Sequence, residues 1–221
     1  MLKENMQIIL LFCFIFLSHH INAQFSRFGV RASISSVSWV GDYNPNPNVQ
    51  YNSKIGGSIG FYFAREIGTN WNIEYGLNLS VKGFNLTGQV LYPGAMVGVD
   101  IKNQSAYIDV PVGFRYYFGR AAPNGFFIKA GIGISFLVYN KVNWIGQYNN
   151  QSFNGDFDGN ASELNRFDFF VFPGIGYQLA NGLNFQLIWE RGLINIVKDD
   201  EYFDWTKAYN QSFKLVIGFD L

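Results

Sequence analysis

Beyond residue 20 this sequence has neither cysteine nor histidine; Cys13, His19 and His20 are the only ones in 221 residues. That absence removes disulfides, thiolate chemistry and Cys/His metal centres from everything downstream. It also removes the Ser-His-Asp arrangement, because the imidazole base is missing. A lipid-modifying enzyme or lipid hydrolase that relies on histidine has no carrier for its chemistry. The expectation is a protein that is not an enzyme and holds no cofactor. Charge is scarce as well, at 14% of residues against about a quarter in ordinary soluble domains. Net charge is zero, so no basic field invites nucleic acid. After Ala23 no apolar run approaches the ~18 residues of a membrane-spanning helix. Contact with lipid has to come from strands.

What is present begins with an export signal. Lys3 supplies a basic start, Ile8 to Leu17 is continuously apolar, and Ile21-Asn22-Ala23 ends on a small residue before Gln24. The run is too short to span a bilayer. Residues 1–23 are expected to be a cleaved signal peptide and residues 24–221 a single domain. Cys13 is not a lipoprotein cysteine, since Phe12 precedes it and it sits inside the apolar run.

Aromatic residues reach 19% and glycine is abundant, and both are distributed with a period of two. From Tyr209 the odd positions read Tyr209, Gln211, Phe213, Leu215, Ile217, Phe219, while the even ones read Asn210, Ser212, Lys214, Val216, Gly218, Asp220. A strand sends successive side chains to opposite faces, so such a segment is oily on one side only. The pattern predicts eight strands: about 28–38, 54–64, 71–84, 105–118, 126–139, 166–178, 183–192 and 209–221. The sixth is blurred by the run Phe167, Phe169, Phe170, Val171, Phe172. Tight links carrying Gly68-Thr69-Asn70, Pro123-Asn124-Gly125 and Asn181-Gly182 alternate with long ones over roughly 39–53, 85–104, 140–165 and 193–207. Short periplasmic turns alternating with long extracellular loops describe an eight-stranded antiparallel up-and-down transmembrane β-barrel of the bacterial outer membrane.

The rival is a soluble lipocalin-like ligand carrier, in which the oily parity would line a cavity. Two features favour lipid outside. The polar parity is full of glycine, which a cramped interior requires. The oily parity gathers rings near strand ends, as interfacial girdles do. Lipid-facing positions are then Ile73, Leu77, Ile108, Val112, Ile132, Leu187, Leu215 and Ile217, with Trp39, Trp71, Tyr116, Phe118, Trp189 and Tyr209 as interfacial aromatics and Phe84 among the rings at the loop end. The inward parity carries Arg31, Glu74, Lys82, Asp109, Arg115, Lys129, Asp168, Glu190 and Lys214, nearly balanced in sign. Buried charges persist when paired, so these residues are expected to close the lumen. A narrow small-solute pore is the alternative.

The strand Asp109-Val110-Pro111-Val112-Gly113-Phe114-Arg115-Tyr116-Tyr117-Phe118, the Gly131-x-Gly133 strand, the Gln24 start and the aromatic-bearing last strand resemble the PorT-like outer-membrane barrels of Bacteroidota. The resemblance spans the chain from Gln24. It implies an OmpA-like barrel, with a role in protein secretion in some relatives. Two acidic clusters are candidates for divalent ions. One is Asp156, Asp158, Asn160 and Glu163, which departs from the EF-hand spacing. The other is Asp199, Asp200, Glu201 and Asp204, which could bridge lipopolysaccharide phosphates. Loop rings at Trp144, Tyr148, Phe153, Phe157, Tyr202, Phe203 and Trp205 either meet a protein or glycan partner or pack a cap over the barrel. The remaining expected partners are outer-membrane lipid and the barrel-insertion machinery, which would read the Phe213–Leu221 face.

Overall fold

The structure, a computed structural model, describes residues 26–43, 49–92, 95–119, 124–148, 151–157, 164–198 and 205–221. The expected signal peptide lies outside the described residues. Among the described residues eleven strands follow one another: β1 Ser26–Tyr43, β2 Val49–Asn52, β3 Lys54–Glu66, β4 Trp71–Lys82, β5 Asn85–Tyr92, β6 Ala95–Tyr117, β7 Gly125–Tyr148, β8 Gln151–Phe157, β9 Phe167–Gln178, β10 Leu183–Gly192 and β11 Trp205–Asp220. Eight of them close a ring in the order β1-β3-β4-β6-β7-β9-β10-β11, with β11 returning to β1 through antiparallel pairs from Gly29 opposite Asp220 upward. Closure removes the free edges that hydrocarbon cannot satisfy.

Alternation decides which way each side chain points. On β11, Phe213, Leu215, Ile217 and Phe219 are exposed on the outer wall, while Ser212, Lys214, Val216 and Asp220 are buried inside. Leu77, Val112, Ile132 and Leu187 are likewise exposed outward, and Ile73 and Ile108 are half-buried on the same side. The blurred strand β9 has a clean parity after all. Phe167 and Phe169 point outward and Phe170 and Phe172 point inward. Glycine on the neighbouring strands makes room for the two inward rings: a Cβ on Gly131 would stand 2.5 Å from Phe172 Cζ, and one on Gly113 2.9 Å from the same atom. The β9–β10 turn contains Gly182 at φ +89°, a left-handed conformation suited to glycine, with Asn181 Oδ1 accepting the Leu183 amide at 3.1 Å.

The hairpin of β6 and β7 is more than twice as long as a membrane span needs, at 23 and 24 residues against ~9–11. Its upper half stands clear of the barrel and gathers β5 and β2 on one side and β8 on the other. Three of the long loops therefore carry strands of their own. A bulge marks the transition. Ala106 lies opposite Tyr139 but Tyr107 lies opposite Leu137, so Val138 is an extra residue. It resets the parity, leaving Leu137 and Asn140 inside and Val138 and Tyr139 outside.

Two expected girdle aromatics are corrected. Trp39 and Phe84 are 3% and 2% exposed, with ring centres 4.3 Å apart inside the loop-side mouth. The reason is parity: Trp39 alternates with Arg31 and Ser35, and Phe84 with Glu74 and Lys82, so both continue inward rows. They join Leu86, Tyr107, Leu137, Leu164, Ile196, Val197 and Ala208 in an apolar cluster. The segments 164–166 and 193–198 fold down to complete it. Leu164 bridges Val197, Asn165 donates from its amide to the Ile196 carbonyl at 2.8 Å, and Ile196 donates to the Ala208 carbonyl at 2.9 Å. Ile196→Val removes one methylene from this plug and should cost ~1 kcal/mol. Urea unfolding in detergent would read the cost; an unchanged midpoint would mean the segment is not docked.

Candidate functional site

The interior is built in three tiers by inward residues of all eight ring strands. At the turn end, Asp220 accepts from Tyr62 Oη, from Gln178 Nε2 at 2.7 Å and from Arg27 Nη1 at 3.1 Å. Arg27 also pairs with Glu66 at 3.3 Å. Tyr117 Oη donates to Gln178 Oε1 at 2.7 Å, and Asn184 Nδ2 donates to Tyr62 Oη at 3.0 Å.

The middle tier centres on Glu74. Three cations converge on this one carboxylate: Arg31, Arg115, and Lys129 at 2.6 Å. Asn78 Oδ1 accepts from Arg31 Nε at 2.7 Å and steadies the guanidinium. All four charged groups are at most 8% exposed. Removed from water, a charge is tolerable only with a partner and satisfied hydrogen bonds, which is why so many donors gather at one acid.

Above it, Lys82 bridges Asp109 at 3.2 Å and Glu190 at 2.8 Å and donates to Ser135 Oγ at 3.0 Å. Ser80 and Ser135 donate to Asp109, the latter at 2.6 Å. Lys214 pairs with Glu190 at 2.6 Å. Asp168 is held by neutral donors instead, Asn210 Nδ2 at 3.0 Å and the Ile194 amide at 3.2 Å. That last bond ties the 193–198 segment to the barrel interior.

All nine charged residues singled out on the inward parity thus lie in the lumen, eight of them in the middle and upper ion-pair clusters. Arg27, Tyr62 and Asp220 were missed. The available signal was parity carried to the strand ends, since Arg27 alternates with Arg31 and Asp220 with Lys214. Between the tiers a void of about 30 Å³ remains, lined by Arg31, Ser58, Asn78, Lys129, Glu190 and Lys214. That is room for one or two waters. At this depth Glu74, Asp109 and Glu190 are engaged by cations, Asp109 by serine hydroxyls as well, and Asp168 by an amide side chain and a backbone N–H.

The turn-end girdle is unbroken from β4 to β7. Trp71 lies 4.9 Å from Tyr116, Tyr116 5.2 Å from Phe118, and Phe118 5.6 Å from Phe126. At the loop end Trp189 and Tyr209 are half-buried on the outer wall. Of the loop rings, Tyr148 and Phe153 are exposed, while Trp144 lies over Gly155 of β8. Tyr202, Phe203 and the side chains of Phe157 and Trp205 fall outside the described residues. So do Asp158, Asn160, Glu163, the side chain of Asp156, and the acids at 199, 200, 201 and 204. Among the described residues, no group of three or more acidic, Cys or His side chains is placed to hold a metal.

Comparison with known proteins adds the following. A family described as the outer membrane protein beta-barrel domain matches residues 22–198. No curated protein matches the sequence significantly. Among solved structures, the chain resembles the attachment invasion locus protein Ail of Yersinia pestis at 12% identity and a TM-score of 0.42, covering 89% of this chain and 97% of that one. It resembles neisserial surface protein A (NspA, from Neisseria) at 10% identity and 0.45, covering 90% and 100%. OprG of Pseudomonas aeruginosa is similar at 12% identity and 0.37, covering 89% and 94%.

Proposed function

The chain belongs to the outer membrane protein beta-barrel domain family, and from that premise we propose a closed, non-catalytic barrel whose loop-end sheet binds a partner protein. The observation that carries this reading is an open sheet edge. Among the described residues, the order β2-β5-β6-β7-β8 leaves β2 and β8 at the margins. An edge strand offers unpaired amides and carbonyls, and proteins usually guard it with lysine, proline or brevity. β2 is guarded: it has four residues and follows Pro45 and Pro47. β8, Gln151–Phe157, is seven residues long, contains no lysine or proline, and presents exposed Gln151, Ser152, Phe153 and Asn154. Its outer side suits an extended segment of another protein, added as a further strand.

The PorT-like resemblance suggests a finer form, in which the partner is a component of protein secretion across the outer membrane. Export by the residue 1–23 signal and recognition of the last strand by the insertion machinery belong to the same reading. The test is cross-linking in the native membrane from a photoreactive residue at Phe153. A partner band is expected for the wild type, falling at least tenfold in Ser152→Lys/Asn154→Lys, which guards the edge while leaving barrel unfolding unchanged. A partner band that persists at full yield in the double variant would overturn the proposal.

A further inference from the structure

The outer wall is not uniformly oily. In the ladder, Arg191 of β10 lies opposite Gln211 of β11, and Gln211 lies opposite Ser38 of β1. All three share the outward parity of Leu187, Leu215 and Ile34. On the other side the row continues through Val171 and Ile132, so the guanidinium has hydrocarbon neighbours on its β9 side and polar ones on its β11 side. Arg191 is half-buried; its Nη1 donates to Gln211 Oε1 at 3.1 Å, and its Cζ lies 5.2 Å from the centre of the Tyr209 ring. None of the ion pairs among the described residues includes it. A cation turned toward lipid is unfavourable unless it reaches the interface or a counter-charge. Arg191 stands eight residues above Leu183. At ~3.3 Å per residue and a ~40° tilt this is ~20 Å up a ~25 Å apolar band, near its outer-leaflet edge. Lys207 is exposed two positions beyond Tyr209, opposite Asp42 of β1.

Directly below lies a groove of about 940 Å³ along the wall. Its lower bank is the register row Ile128, Ile175, Leu187, Leu215 and Ile34. Its upper bank contains Ala130, Pro173 and Ser36 beside Trp189 and Phe213, and the small members leave the depression. The rows run across five strands, ~20 Å at ~4.8 Å spacing, about the reach of a long acyl chain. An anion-binding group therefore sits immediately above an apolar trough of acyl-chain dimensions.

The geometry points to a phosphorylated glycolipid of the outer leaflet, its phosphate on Arg191 and one acyl chain in the groove beneath Trp189. Ser38 and the amide NH2 of Gln211, beside the guanidinium, offer the hydroxyl and N–H partners that a sugar uses. The inference rests on the place of the barrel in the outer membrane and is independent of partner binding at β8. It is tested by native mass spectrometry of the full chain in phosphatidylcholine nanodiscs doped with a phosphorylated acyl-disaccharide. Wild type should retain that lipid and release its dephosphorylated form. Arg191→Gln should lower retention at least tenfold, whereas Arg65→Gln, which removes an exposed cation at the turn end, should not. Ala130→Phe fills the groove without touching charge and should also reduce retention. Wild-type retention in Arg191→Gln overturns the inference, as does equal retention of the dephosphorylated lipid or of phosphatidylglycerol. Should Arg191→Gln fail to insert, unchanged retention in Ala130→Phe overturns it instead.

Discussion

Glu74→Gln is expected to destabilise the barrel by ~3–5 kcal/mol, the range for breaking a buried ion pair by removing one partner. The substitution keeps the shape and one acceptor oxygen but withdraws the negative charge on which Arg31, Arg115 and Lys129 converge. None of the three has another carboxylate in the middle tier; Asp109 and Glu190 are engaged by Lys82 and Lys214 above. The expected readout is a large drop in the urea midpoint of protein refolded into lipid vesicles, followed by the gel shift between folded and unfolded barrel. Adding Lys129→Met to Glu74→Gln should recover part of the loss, because residues in one network are coupled. A shift below about 1 kcal/mol would mean that the lumen is open to water and these charges are screened.

The second large effect lies on the other side of the wall. Leu215 is about half exposed on the outer wall, four residues from Phe219, which pairs with Leu183 at the turn end. At ~3.4 Å per residue and a ~40° tilt, that is ~10 Å into a ~25 Å apolar band. Leu215→Arg places a cation there with too little reach to either interface, at a cost of ~2–4 kcal/mol. In water, the same change on an exposed face would stay within about 0.5 kcal/mol. Unfolding in vesicles thus separates a lipid-facing wall from a solvated one, and a negligible shift would refute the assignment of faces.

Much of this architecture was legible because a period of two is a local signal. Strand β10 runs Leu183–Gly192, the bounds that its alternation gives, and the charged residues of the lumen sit on the parity that also carries glycine. Residue type is a weaker guide than parity. Trp39 and Phe84 are large rings at strand ends and so resemble girdle residues, but their own rows point inward. The upper halves of β6 and β7, with β5 and β8, give no strand signal in the sequence. Outside the membrane neither face has to be uniformly oily, and Asn, Gln and Gly dilute the pattern. The pairing of particular charges lay out of reach for another reason. Which cations meet Glu74 depends on the stagger of strands around the closed ring, a property of the whole cylinder that no single segment encodes.

The seam between β1 and β11 carries a consequence for the order of assembly. Gly29 finds its partner in Asp220, and the Leu221 amide donates to the Phe28 carbonyl at 2.7 Å, so the wall is completed by residues nearly the full described length apart. Until that last hairpin arrives, the lumen charges lack a finished enclosure and β1 presents a raw margin. Pairing so distant in sequence is slow to form, although the entropy of closure grows only slowly with span. The cylinder therefore cannot mature piecemeal as its strands are made; it has to be kept pliant until the final strand can dock.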